Sequence, residues 1–242
     1  MKKADSGLNV AREAASLRLL VEDRLRAAIG NGTFRPGQRL IERELCEQTG
    51  VGRTSIREAL RRLEAEGLVT TTPHRGPTVS TITADEAGQL YEVRAMLEGF
   101  AGRECARQRD PGILARLRKQ FDIMGRVARR QDRSELLAAK TEFYAALLEG
   151  CGNVFVQQFL NMLLNRVTLL RMTSMTQKNR IPHSLKEIET ILVAIESGDE
   201  EAAERACIQH IRNAAAVAVE ALRRNEARPA PASAADTPEA GH

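Results

Sequence analysis

Between Gly50 and Val79 the chain reads GVGRTSIREALRRLEAEGLVTTTPHRGPTV, and no other stretch limits its possible folds as much. Gly50 sits where a helix C-terminus prefers glycine, and a second helix runs from Arg53 to about Glu66. At about 100° per residue, Ile56, Ala59, Leu60 and Leu63 fall on one side of it. Thr54, Arg57, Glu58 and Arg61 fall on the other. Arg53, Arg57, Arg61 and Arg62 crowd about three turns and repel one another, so an anion outside the chain is expected to compensate them. Glu58, Glu64 and Glu66 lace the same helix, and on the helix alone a solvated surface explains it equally well. Gly67 then closes it. The β-branched runs LVTTT and PTVSTIT read as strands, with PHRG as a hairpin tip between them.

Upstream, Leu17, Val21, Leu25 and Ile29, with Ala28, recur at helical spacing and predict a helix over 16–30. GNGTFRPGQRL breaks it into a loop, and IERELCEQTG forms a short helix before the turn at Val51 and Gly52. Helix, tight turn, helix and two-stranded wing make the winged helix-turn-helix arrangement, whose second helix enters the DNA major groove. The apolar side of that helix docks through Leu45 and Val51, which leaves the arginines outward. Arginine forks donate in pairs to guanine O6/N7 or to phosphate. The hydroxyls of Thr54 and Ser55 lie where the helix N-terminus meets the nucleic-acid backbone. Gly76 lets the wing backbone approach, and His74 and Arg75 reach a minor groove or phosphates.

From Thr83 onward the sequence reads helical. Thr83 with Glu86 is a capping box, and Leu90, Val93, Leu97 and Ala101 are read as one face of the helix it opens. Breaks fall at RDPG (109–112), QDRS (131–134), EGCGN (149–153), NRIPHS (179–184) and ESGDE (196–200). Six helices joined by short loops predict a bundle. Aromatics at 3% with no Trp favour helices over sheets. The predicted fold is therefore mainly α: an N-terminal winged helix-turn-helix with a small β wing over 16–82, and a C-terminal all-α six-helix bundle over 83–225. Residues 1–15 read as a flexible N-terminus and 226–242, rich in Pro and Ala, as a disordered tail.

The net charge of +4 is unevenly spread. Residues 1–82 carry 14 Lys+Arg against 10 Asp+Glu, whereas 83–225 carry 21 against 19. Cys46, Cys105, Cys151 and Cys207 stand singly and predict buried, reduced thiols in a cytoplasmic protein. Cys151, between two glycines, has no His–carboxylate pair in prospect and reads as packing rather than as a nucleophile. No apolar run nears the ~20 residues that span a membrane, and the start lacks the apolar segment of a signal peptide. No phosphate-binding glycine loop, G-x-S-x-G or H-E-x-x-H occurs, which argues against an enzyme. Scarce aromatic side chains argue against RNA as the partner.

The segment RLIERELCEQTGVGRTSIREALRRLEAEGLV resembles the DNA-binding domain of GntR-family bacterial regulators, with the likeness running from about Leu17 to Ile82. YEVRAMLEG and the helices after it resemble the FCD effector domain of the FadR-like branch. The resemblance implies a homodimer on an inverted-repeat operator, with Arg43, Arg53, Thr54, Ser55, Arg57, His74, Arg75 and Gly76 at the operator-contacting positions. Gly52 departs from the family, which usually has Ser or Thr as N-cap; glycine there costs only a few tenths of a kcal/mol.

FCD domains typically hold a divalent metal with one Asp and three His, and the ion attracts an anionic ligand. Here Lys140 and Tyr144 stand where the resemblance implies Asp and the first His, and Ile188 stands at the second His. Only His210 keeps its place, so metal binding in the family's manner is not expected. Lys140 and Tyr144, four residues apart, share a helix face. Together with His210 and Arg94 they are read as a metal-free site for a small anionic effector. The alternatives are an Arg94–Glu98 ion pair of purely structural kind and a ligand-independent DNA-binding protein with a vestigial pocket.

Overall fold

The computed structural model describes residues 12–130, 132–163 and 180–227. Of the flexible start read over 1–15 and the tail read over 226–242, residues 1–11 and 228–242 lie outside them, as does the helix expected across 164–179; residues 12–15 and Glu226 are helical instead.

The N-terminal unit is built from α1 (Arg12–Gly30), α2 (Glu42–Thr49), α3 (Arg53–Ala65) and an antiparallel hairpin, β1 (Val69–Thr72) with β2 (Gly76–Val79). The first helix is already formed at Arg12, ahead of the expected start at residue 16. Val21, Leu25 and Ile29 of α1 meet Leu45, Ile56, Leu60 and Leu63 in one core, with Val51 at its edge. Arg26 of α1 donates to both carboxylate oxygens of Glu66, each at 3.0 Å, and so clamps α1 to the end of α3. The loop before α2 is more ordered than its glycines imply. Leu40 N donates to Pro77 O at 2.8 Å and Val79 N to Gln38 O at 2.9 Å, so the segment before α2 lines up beside β2.

The C-terminal unit comprises α4 (Ala84–Gln108), α5 (Pro111–Arg130), α6 (Arg133–Gly150), a helical segment over 154–163 (α7), α8 (Arg180–Ser197) and α9 (Glu200–Glu226). The capping box forms as read: Thr83 Oγ1 accepts from Glu86 N at 3.2 Å and Glu86 Oε2 accepts from Thr83 N at 2.9 Å. The helix α8 already runs from Arg180, so Pro182 breaks nothing.

The face read for α4 needs correction. Val93 is exposed and Leu90 and Leu97 are half-buried, while the buried stripe is Ala87, Tyr91, Arg94, Ala95, Glu98, Ala101, Gly102 and Cys105. Small residues set this rotation because α9 crosses very close. A Cβ on Gly102 would sit 2.5 Å from Cys207 Sγ and 3.1 Å from the Ala203 carbonyl. Val93 and Met96 are left exposed on the outer side of α4, while Leu90, Leu97 and Phe100 pack at the edges of neighbouring clusters.

Candidate nucleic-acid interface and candidate effector site

The helix α3 is aimed by its apolar side: Ile56, Ala59 and Leu63 are fully buried, so Arg53, Thr54, Arg57 and Arg61 face solvent and Ser55 is half-buried. Gly52 is the N-cap, with φ −68° and ψ 156°, and supplies no side-chain acceptor to the first turn. The amides of that turn therefore keep their donor capacity for an external anion. The four arginines are compensated unequally. Arg57 Nε lies 2.8 and 2.9 Å from the Glu42 carboxylate oxygens, and Arg62 lies 3.5 Å from Glu66. Arg53 and Arg61 form no ion pair among the described residues. Expecting all four to await an outside anion was thus too broad, because tertiary folding brings Glu42 across from the neighbouring helix.

On α2, Arg43 is exposed and 3.8 Å from Glu47. At the wing tip, His74 takes φ 66° and Gly76 φ 77°, a left-handed pair that turns the hairpin within three residues. His74 and Arg75 are exposed. The Arg39 guanidinium lies beside Gly76, 3.9 Å from where a Cβ would stand, and adds a basic group to the wing that the sequence reading passed over.

In the bundle, Lys140, Tyr144, His210 and Arg94 are all buried and converge. Tyr144 stacks on His210 with ring centroids 6.3 Å apart, Lys140 lies near enough to His210 to depress its basicity, and Arg94 feels Tyr144. Their partners alter the chemistry expected of them. Arg94 is committed to Glu98, with Nε and Nη2 at 2.8 and 2.7 Å from Oε1, and the pair is shut off from solvent. Its guanidinium stays charged: burial disfavours the cation, and Glu98 outweighs that. The open cationic wall assigned to Arg94 is therefore absent, and the structural ion pair is what forms.

Lys140 Nζ donates to Ser184 Oγ at 2.8 Å. Glu187, one residue before the position read as a lost ligand, accepts from both terminal nitrogens of Arg180 at 2.9 and 2.8 Å and from Asn213 Nδ2 at 2.9 Å. His210 Nδ1 lies 2.5 Å from the same carboxylate. Burial raises the Glu187 pKa, and the hydrogen bonds from His210, Arg180 and Asn213 overcome this and hold it down at about 2. Burial pushes His210 down to about 4 despite the Glu187 contact, with Lys140 adding to the effect. At neutral pH the imidazole is therefore neutral and donates through Nδ1. Glu187, Arg180, Ser184 and Asn213 were all missed, because attention to a spacing motif passes over the carboxylate beside it.

An ammonium, a phenol and the aliphatic side chain of Ile188 are not a donor set for a divalent cation, and His210 Nδ1 is already engaged. One turn of α6 before Lys140, Leu136 lines a cavity of about 750 Å³ with Ala128, Ile181 and Leu185, flanked by Arg129 and Asp132. Cys46 is half-buried rather than buried as expected, whereas the three bundle cysteines are enclosed. Burial raises all three bundle cysteines, Cys105 to about 12, which keeps them protonated.

Residues 17–79 match the description of bacterial regulatory proteins of the gntR family, and residues 89–213 match the FCD domain. The chain belongs to the GntR family. It is 34% identical over 173 residues to the Nta operon transcriptional regulator of Aminobacter aminovorans, covering 70% of this chain and 80% of the relative. It is 30% identical over 194 residues to a probable D-xylose utilization operon transcriptional repressor of Paenarthrobacter nicotinovorans, covering 79% and 84%. A crystal structure of a putative GntR transcriptional regulator from Rhodococcus sp. RHA1 superposes with a TM-score of 0.73 at 27% identity, over 85% of this chain and 98% of that one. This GntR-family protein is thus a DNA-binding transcriptional regulator with a helical FCD domain behind its winged reader. Among the described residues no helix is long and apolar enough to cross a membrane, and no three His, Cys, Asp or Glu side chains gather as a metal site.

Proposed function

We propose that this regulator is a cytoplasmic repressor with no catalytic role, which binds an inverted-repeat operator in double-stranded DNA as a homodimer. In this reading α3 enters the major groove with Arg53, Thr54, Ser55 and Arg57, Arg43 reaches in from α2, and His74, Arg75 and Gly76 follow the wing into the adjacent groove or backbone. It rests on one observation above all: α3 turns its whole polar face outward, and Arg53 and Arg61 there lack protein carboxylates among the described residues. The repressor sign follows the relative named as a repressor. The dimer is supported by two apolar stripes at helical spacing on neighbouring helices: Val93, Met96, Leu97 and Phe100 on α4, and Phe155, Phe159 and Met162 on α7. Of these, Met96, Phe155, Phe159 and Met162 are all more than half exposed.

The bundle is read as the receptor for a small anionic effector bound without metal. Lys140 and Ser184 supply the charged and hydroxyl donors for its head, Tyr144 and His210 flank it, and the cavity beside Leu136 takes its apolar body. Arg94 serves as scaffold. Thermal melting against carboxylates and sugar phosphates, with and without a chelator, tests this. One anion should raise the melting temperature by mass action, unchanged by chelator and lost in Lys140→Ala. Stabilisation that vanishes with chelator would show a metal site instead. No stabilisation by any anion would favour the ligand-independent DNA-binding protein.

A further inference from the structure

A guanidinium that reads a base must meet it in one orientation, whereas an unrestrained arginine side chain samples many. Arg57 is 59% exposed at its side chain, yet its Nε donates to both carboxylate oxygens of Glu42, at 2.9 and 2.8 Å. Glu42 stands in the first turn of α2, so the contact bridges the two helices of the DNA-reading unit. Every hydrogen bond from Arg57 to a described side chain runs through Nε, which leaves the Nη1–Nη2 edge for another acceptor pair. The neighbouring pairs are of a different kind. Arg43–Glu47 and Arg62–Glu66 are looser contacts of 3.8 and 3.5 Å along single helices, of the sort that order little.

We propose that Glu42 is the positioning residue for Arg57 and a determinant of operator specificity: it fixes the guanidinium across the helix-turn-helix so that the Nη1–Nη2 edge is presented, pre-oriented, to the O6/N7 acceptors of one guanine per half-site. This rests on the reading of Arg57 as a base-contacting residue. The sign of the effect separates positioning from mere charge. A carboxylate on a DNA-facing surface repels phosphates, so removing it on charge grounds alone tightens binding to every duplex. Removing a positioning group weakens binding to the operator only.

The test uses the full chain and two duplexes of equal length: the consensus that the wild-type protein recovers from randomised DNA, and a scrambled version. Affinities at fixed salt are measured for wild type, Glu42→Gln, Glu42→Ala, Arg57→Ala and the double variant. Glu42→Ala is expected to lose about tenfold on the consensus while binding scrambled DNA as well as wild type or better. Base preference should flatten at the same position that Arg57→Ala flattens, and the double variant should be no worse than Arg57→Ala alone. Should Glu42→Ala unfold the unit, the isosteric Glu42→Gln carries the comparison, with a smaller loss in the same direction. Tighter binding to both duplexes with base preference intact would overturn the positioning role. Undiminished preference in Arg57→Ala would instead remove the reading beneath it.

Discussion

The winged unit and the bundle both depend on arginine, and they place it in opposite solvents. On α3 the guanidiniums are exposed, and two of the four find no carboxylate among the described residues. In the bundle, Arg94 and Arg180 are buried and each is held by its own glutamate within 3 Å. An exposed cation keeps its hydration and can wait for a phosphate. A buried one has lost its water and must bring a counter-ion with it, because an uncompensated charge in the interior is strongly disfavoured. Exposed arginines are thus available for function, whereas buried ones are tied to stability.

The largest test of that contrast is Glu98→Ala. It strands Arg94 inside the bundle and should destabilise the protein by roughly 3–5 kcal/mol in denaturant unfolding. A loss under ~1 kcal/mol would show that the interior pair is not what distinguishes the two regions. Acid probes the second buried cluster. His210 titrates near 4 in the fold against 6.5 unfolded, and Glu187 near 2 against 4.5. Both folded values are depressed, so their stabilisation is complete above about pH 6.5. It fades first as the unfolded imidazole takes up protons between 6.5 and 4, then as the unfolded carboxylate does so between 4.5 and 2. Unfolding free energies measured at pH 7 and pH 4 should differ by a few kcal/mol, with a smaller difference in a Glu187→Gln,His210→Gln variant.

On the exposed side the effect should move from stability to binding. Arg57→Ala should leave the melting temperature unchanged and cost about 1–3 kcal/mol of operator affinity in a titration; a large drop in melting temperature would erase the contrast. Smallest is the junction. Thr83→Ala removes the cap where the bundle begins and should cost about 1 kcal/mol by calorimetry, with no change in affinity for DNA.

The winged unit was legible because its signals are local: the Gly50 turn, the 3.6-residue period of Ile56, Leu60 and Leu63, and the β-branched runs around the wing tip. The pairing of Gln38–Leu40 beside β2 was hidden, since strand partners are chosen by neighbours distant in sequence. On α4 the apolar period pointed to Val93 and Leu97, while the face that is buried is the one that lets α9 approach Gly99 and Gly102. In the bundle the sequence singled out Lys140, Tyr144, His210 and Arg94, and the fold brought them together. Arg94 found its partner Glu98 one turn along its own helix, but the partners of Lys140 and His210 came from another: Ser184 and Glu187 lie 44 and 23 residues from the groups they meet.

By itself, then, the sequence determined the order of elements, the outward basic face of α3 and the departures from the FCD ligand pattern, since each depends on residue type at short spacing. Beyond pairs one helical turn apart, such as Arg94 with Glu98, only the tertiary structure decided which charges are neutralised. Ion pairing requires two side chains within about 4 Å, and the chain separates Arg57 from Glu42, and His210 from Glu187, by more than helical periodicity can connect.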